Sequence, residues 1–168
     1  MKDPIIQKGS YILSLIAKTV PIDAIKTPLF QNILISMKNI LDAEEDGIAL
    51  AAPQINQSWR IFIIEPKAFK NTKNKPLVFI NPEIITTSKK KEWITEGCLS
   101  IRDWYGKTHR YKQVTVRAYN KHAEKFEFGG SGLIAQIFQH EIDHLDGVLF
   151  DEHAKELEKI TPENHKEH

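Results

Sequence analysis

The run from Ser131 to Gly147 is the tightest constraint on the fold, because its apolar side chains fall on one side only if the stretch is a helix. Leu133, Ile134, Ile137, Phe138, Ile142 and Leu145 recur at helical spacing. Ser131 is the expected N-cap, and Gly147 suits the left-handed residue that closes a helix. On that helix His140 and His144 stand one turn apart on one face, with Cβ atoms about 5–6 Å apart. Two imidazoles so placed can hold one metal ion at about 2.0–2.1 Å each, with Glu141 beside them as a proton carrier. The alternative is a solvated face with two chance histidines. Apolar flanks argue for burial, and burying His-Glu-His without a ligand is costly. The stretch is read as a metal-binding helix.

A chain of 168 residues fits one domain, expected to span 1–168 with a frayed tail after about residue 152. Lys plus Arg (23) nearly balance Asp plus Glu (22), leaving no net field to draw nucleic acid or a membrane. A single cysteine makes no internal disulfide, which fits a reducing, cytoplasmic compartment. The apolar run Tyr11–Ala17 is short, is approached through Asp3 and Pro4, and ends at Lys18, unlike a signal peptide. No run approaches the roughly 20 apolar residues that span a bilayer.

Residues 1–26 read as an extended arm with a short helical turn. Thr27-Pro28 is a helix start, with Leu29, Ile33, Met37, Ile40 and Leu41 on the buried face. The acidic turn Ala43-Glu44-Glu45-Asp46 opposes the helix dipole, and is either offset by a nearby cation or simply solvated. Gly47–Gln54 reads as a loop of small residues. Strands are expected at 59–65, 77–81, 83–87 and 92–96, then a polar loop from Arg102 to Arg110. A hairpin of 111–119 with 125–128 leads into the helix. Strands ahead of a helix indicate an α+β fold.

Two histidines leave a metal under-coordinated. Cys98, in a Gly-Cys turn at the end of an expected strand, is the best third ligand, although a lone cysteine is more often a small buried hydrophobe. A thiolate with two imidazoles leaves a fourth position open for water, as in a catalytic site. The ion lowers the pKa of that water toward about 7, and the resulting metal-bound hydroxide attacks a carbonyl carbon. Glu141 takes the proton and returns it to the leaving nitrogen. The Gln54 amide and the Leu99 N–H are placed in sequence to converge on the oxyanion. On residue grounds alone, Gln54 reads first as a loop residue bonding backbone.

Three blocks, Gly47–Gln54 (GIALAAPQ), Glu96–Ser100 (EGCLS) and Gln139–Gly147 (QHEIDHLDG), resemble the signature motifs of peptide deformylases in content, order and spacing. The opening Ile6-Gln7-x-Gly9 resembles that family's first segment as well. The resemblance implies antiparallel β-sheets packed around a central metal helix carrying His-Glu-x-x-His. It implies removal of the N-formyl group from the initiator methionine of new polypeptides, releasing formate. It further implies one divalent ion per chain, Fe2+ physiologically, with Zn2+ or Ni2+ able to occupy the site. N-formylated nascent polypeptides are the implied partners, with transient ribosome association, a monomeric chain, and neither a nucleic-acid site nor a membrane.

Position by position, Cys98, His140 and His144 match the family's metal ligands, Glu141 its general acid/base, and Gln54 and Leu99 its oxyanion donors. Ile48, Ile94, Leu133 and Ile137 fall at methionine-pocket positions. Gly97 falls at a substrate-binding position, as does Arg110. Three residues depart on the substrate side. Ala49 replaces a glycine, Gln136 stands where an apolar pocket residue is expected, and Arg102 replaces a proline. A metallopeptidase cutting internal bonds is the alternative enzyme, with His153, Glu152 or Glu156 as third ligand, but it leaves Cys98 idle. A divergent deformylase-like protein that only binds peptide has no use for Glu141 and Gln54.

Overall fold

A computed structural model describes residues 2–71, 73, 75 and 77–161. Helix α1 (Pro28–Asp42) is followed by strands β1 (Ala49–Ala51), β2 (Ile61–Ile64), β3 (Val78–Thr87), β4 (Lys91–Cys98), β5 (Ile101–Tyr111), β6 (Gln113–Tyr119) and β7 (Lys125–Ser131). Helix α2 (Leu133–Leu145) and strand β8 (Lys155–Lys159) complete the described elements. All strand pairs are antiparallel, in a five-stranded sheet ordered β1-β2-β3-β6-β7 and a three-stranded sheet ordered β4-β5-β8. The α+β class read from the sequence is the class of the fold.

Helix α2 packs on β1, β6 and β7 of the larger sheet and on β5 of the smaller. Its Ala135, Ile137, Phe138, Ile142 and Leu145 join Phe62, Phe79 and Val116 in one apolar core. Phe138 is fully buried and meets the rings of Phe62, Phe79 and Phe128 at 5.3–6.3 Å. Burying an aromatic side chain of this kind contributes about 1.5–3 kcal/mol. The large sheet thus fixes one side of α2, leaving the other free to carry polar groups toward β4 and β5.

Several local expectations are corrected. The N-cap position of α2 is Gly132, with φ of 56° and no side-chain cap, because Ser131 is still paired in β7 opposite Gln113. Gly147 does close the turn after α2 at φ of +76°, where a Cβ would meet Ser14 O at 2.6 Å. On α1 the buried face is Phe30, Ile33, Leu34, Met37 and Leu41, whereas Leu29 is exposed. The small-residue loop contains β1, an edge strand. The segments 77–81 and 83–87 are one strand, β3, with its register shifted between Ile80 and Glu83. The expected polar loop at 102–110 is strand β5. Its inward residues include Thr108 and Arg110, so polarity hid the period-2 burial. Part of the expected frayed tail, 155–159, pairs with β5 as β8, and residues 162–168 lie outside the described ones. No described helix is long and apolar enough to cross a membrane.

Candidate metal centre and peptide cavity

Cys98 is the last residue of β4, and α2 carries His140 and His144 with their rings 4.9 Å apart. Cys98 Sγ lies 3.2 Å from His144 Nε2. One ligand atom from each of Cys98, His140 and His144 falls within 4.8 Å of the others. Ser100 N–H donates to Cys98 Sγ at 3.4 Å.

Behind the cluster lies a buried ionic network. His140 Nδ1 is 2.7 Å from Glu96 Oε1, which turns the other ring nitrogen toward Cys98 and His144. Glu96 accepts from Arg110 Nη2 (2.6 Å), Arg110 Nε (3.1 Å) and Thr108 Oγ1 (2.8 Å), and Arg110 Nη1 donates to Asp143 at 2.6 Å. Burial pushes the Glu96 carboxyl upward, but its bonds to His140 and Arg110 outweigh that and hold it well below the usual carboxylate range. Burial, opposed by the charge of His140 and reinforced by those of Glu96 and Asp143, pushes Glu141 up to about 7. A carboxyl poised there can both take and give a proton near neutrality.

Two buried polar atoms beside this cluster, Glu141 Oε2 and His144 Nδ1, have no hydrogen-bond partner among the described residues. One thiolate and two imidazoles form a soft donor set suited to iron, zinc or nickel. Cys98, His140 and His144 therefore fit a divalent ion, and Glu141 Oε2 stands ready for a water beside it.

The centre opens into a cavity of about 440 Å³. Its walls include Ile48, Ala49, Gln54, Gly97, Leu99, Leu133, Gln136 and Ile137, together with Cys98, His140 and Glu141. Two expected pocket residues are not on its walls. Ile94 is half-buried on the face of β4 shared by Glu96 and Cys98, and Arg110 is spent on Glu96 and Asp143 behind His140. Gln54 bonds backbone, as its first sequence reading has it, and its amide nitrogen also lies beside the cluster. Its Oε1 accepts from Ala51 N–H at 2.8 Å, while its Nε2 donates to Ser100 Oγ at 3.1 Å and lies 3.7 Å from Cys98 Sγ.

Two sheet edges border this cavity. Glu65 N–H donates to Ile48 O, so Ile48 and Leu50 face β2 while Ala49 and Ala51 face the open edge of β1. Lys112 N–H donates to Lys90 O, so Glu92, Ile94 and Glu96 face β5 while Thr95 and Gly97 face the open edge of β4. Arg102, at the cavity mouth, clamps Asp3 (2.8 and 3.0 Å) and Glu44 (3.0 Å each). It is the cation that offsets the acidic turn after α1. Sequence reasoning missed the partners Thr108 and Asp143 and the support role of Glu96. The alternation Ile94, Glu96, Cys98 was the available sign that Glu96 shares the ligand's face.

The polypeptide deformylase family model matches residues 2–160. This chain belongs to the polypeptide deformylase family. A peptide deformylase of Pseudothermotoga lettingae is 50% identical over 105 residues, covering 62% of this chain and 57% of that relative's length. One of Desulforudis audaxviator is 36% identical over 133 residues, covering 79% and 82%. The crystal structure of a class I type b peptide deformylase from Acinetobacter baumannii with Met-Ala-Ser bound is similar in fold. Its TM-score is 0.77 at 33% identity, covering 89% of this chain and 97% of that one.

Proposed function

We propose that this deformylase-family chain hydrolyses the formamide at the N-terminus of new polypeptides, releasing formate. The observation that carries the reading is the convergence of Cys98, His140 and His144 beside a buried, unpartnered Glu141 oxygen, at the end of a cavity bordered by two open strand edges. An ion held by the three side chains supplies Lewis acidity and activated water at neutral pH. Glu141 takes the proton of the attacking water and delivers it to the departing amide nitrogen. Gln54 Nε2, beside Cys98, and the Leu99 N–H donate to the oxygen that gains charge at the formyl carbon. Glu96 holds His140 in one tautomer through Nδ1. The substrate backbone adds as a short strand between Ala49 and Gly97, whose groups face the cavity from opposite edges. Its first side chain lies against Ile48, Leu133 and Ile137.

The donor set admits Fe2+, Zn2+ or Ni2+ alike, and the family resemblance favours Fe2+ as the physiological ion, with work in the cytoplasm on nascent chains. The experiment loads the purified protein anaerobically with Fe2+ or Ni2+. It then compares formate release from formyl-Met-Ala-Ser with cleavage of an unformylated, internally labelled peptide. Formate release alone is expected. Internal cleavage without formate release supports a metallopeptidase instead.

A further inference from the structure

Along the open edge of β4, one outward-facing carbonyl is already taken. Thr95 and Gly97 both turn their backbone groups away from β5, and among the described residues β4 has no strand on that side. Gly97 lines the cavity with its edge open. At Thr95 the Gln136 side chain reaches across from α2, and its Nε2 donates to Thr95 O at 2.8 Å. An apolar residue at 136 could make no such bond. On the opposite edge Gln54 does the same for Ala51 N–H. The two glutamine amides thus occupy Thr95 O and Ala51 N–H, and Gly97 and Ala49 are the outward-facing residues beside them that line the cavity.

A peptide added antiparallel to β4 has its N-terminus at the Cys98 end, where the metal ligands are, and runs back toward Thr95. If one of its residues pairs with Gly97, the residue two positions further on would offer its N–H to Thr95 O. That acceptor is already bonded to Gln136. We propose that Gln136 is a specificity-determining residue that ends strand addition at Gly97, confining backbone recognition to the first few residues of the substrate. This rests on the deformylase reading above. A limit of this kind suits an enzyme that must take many different N-termini, since residues beyond the stop add no sequence-dependent contact.

The test is a length series of formyl-Met-Ala(n) peptides, with each enzyme's kcat/KM normalised to its own value on the shortest member. The native protein should reach a plateau by the third or fourth residue. Gln136→Ala and Gln136→Leu, which free Thr95 O, should gain a further step of about 2- to 12-fold at the next residue, the worth of one net hydrogen bond. Replacing single peptide N–H groups by ester oxygens checks the register. In the native protein the ester should cost activity at the residue facing Gly97 and nothing two residues later, whereas in Gln136→Ala both should cost. Identical length and ester profiles in native and variant proteins overturn the proposal. So does a variant that changes only the ranking of first side chains, which would make Gln136 a pocket wall and nothing more. No formate from any member of the series would instead overturn the deformylase reading.

Discussion

Glu96 Oε1 sits 2.7 Å from His140 Nδ1, with the Glu96 side chain only 3% exposed. A buried carboxylate against the far nitrogen of an imidazole fixes the ring's tautomer and raises its basicity toward a metal. Arg110 makes this tolerable by pairing with both oxygens of Glu96, because a buried carboxylate without such partners would neutralise instead.

Glu96→Gln keeps the shape but removes the charge, leaving His140 weakly oriented and Arg110 with Asp143 as its one anion in this network. Metal affinity should fall about 10- to 100-fold, the usual consequence of losing such a partner. Chelator competition on the folded protein measures it, and an unchanged affinity would contradict the role given to Glu96.

Gln54→Ala removes two things at once. The Ala51 N–H, fully buried, loses its acceptor, which costs about 1–3 kcal/mol of stability. The donor beside Cys98 goes too, so kcat should drop by about 10²–10³-fold, as when one oxyanion donor is deleted. Denaturant unfolding and steady-state kinetics separate the two effects. A variant that loses stability but keeps native kcat would leave Gln54 as a strand cap only.

Arg102 gives the cavity mouth a pH dependence whose sign can be stated. Its hydrogen bonds hold the Asp3 carboxyl below its ordinary value of 3.8, against a smaller upward push from burial. A carboxyl whose folded pKa is depressed stabilises the fold above its unfolded pKa, and loses that contribution as pH falls through the folded value. Asp3→Asn should therefore lower the unfolding midpoint at pH 6 and make progressively less difference below about pH 4. Because the pair is partly exposed, the whole effect should stay within about 1 kcal/mol and shrink in high salt. A larger penalty at pH 3 than at pH 6 would contradict this sign.

Helix α2 and the candidate set Cys98, His140, His144 and Glu141, which the fold brings together, were legible because each is encoded locally. Helical spacing buries Phe138 on one side and presents His140 and His144 on another, and Gly-Cys at a strand end offers a thiol. What escaped was encoded by distant pairing. Strand β5 looked like a loop because its inward Thr108 and Arg110 are polar, and their burial makes sense only once Glu96 of β4 lies opposite. The N-cap of α2 slipped from Ser131 to Gly132 because pairing with Gln113 extends β7 through Ser131. Gln136, standing where an apolar pocket residue is expected, finds its partner only through the fold, in Thr95 O 2.8 Å away. A single sequence records alternation along a strand but not which strand supplies the partner.

In the proposed reaction Glu141 moves the proton while Cys98, His140 and His144 hold the metal. The most direct measurement pairs metal content with formate release from formyl-Met-Ala-Ser in Glu141→Ala, beside Cys98→Ala, His140→Ala and His144→Ala. Glu141→Ala should retain its ion and lose about 10²–10⁴-fold in kcat, the worth of general acid–base work, while the other three lose the ion itself. A Glu141→Ala protein that is metal-replete and within a few-fold of native turnover would contradict the account.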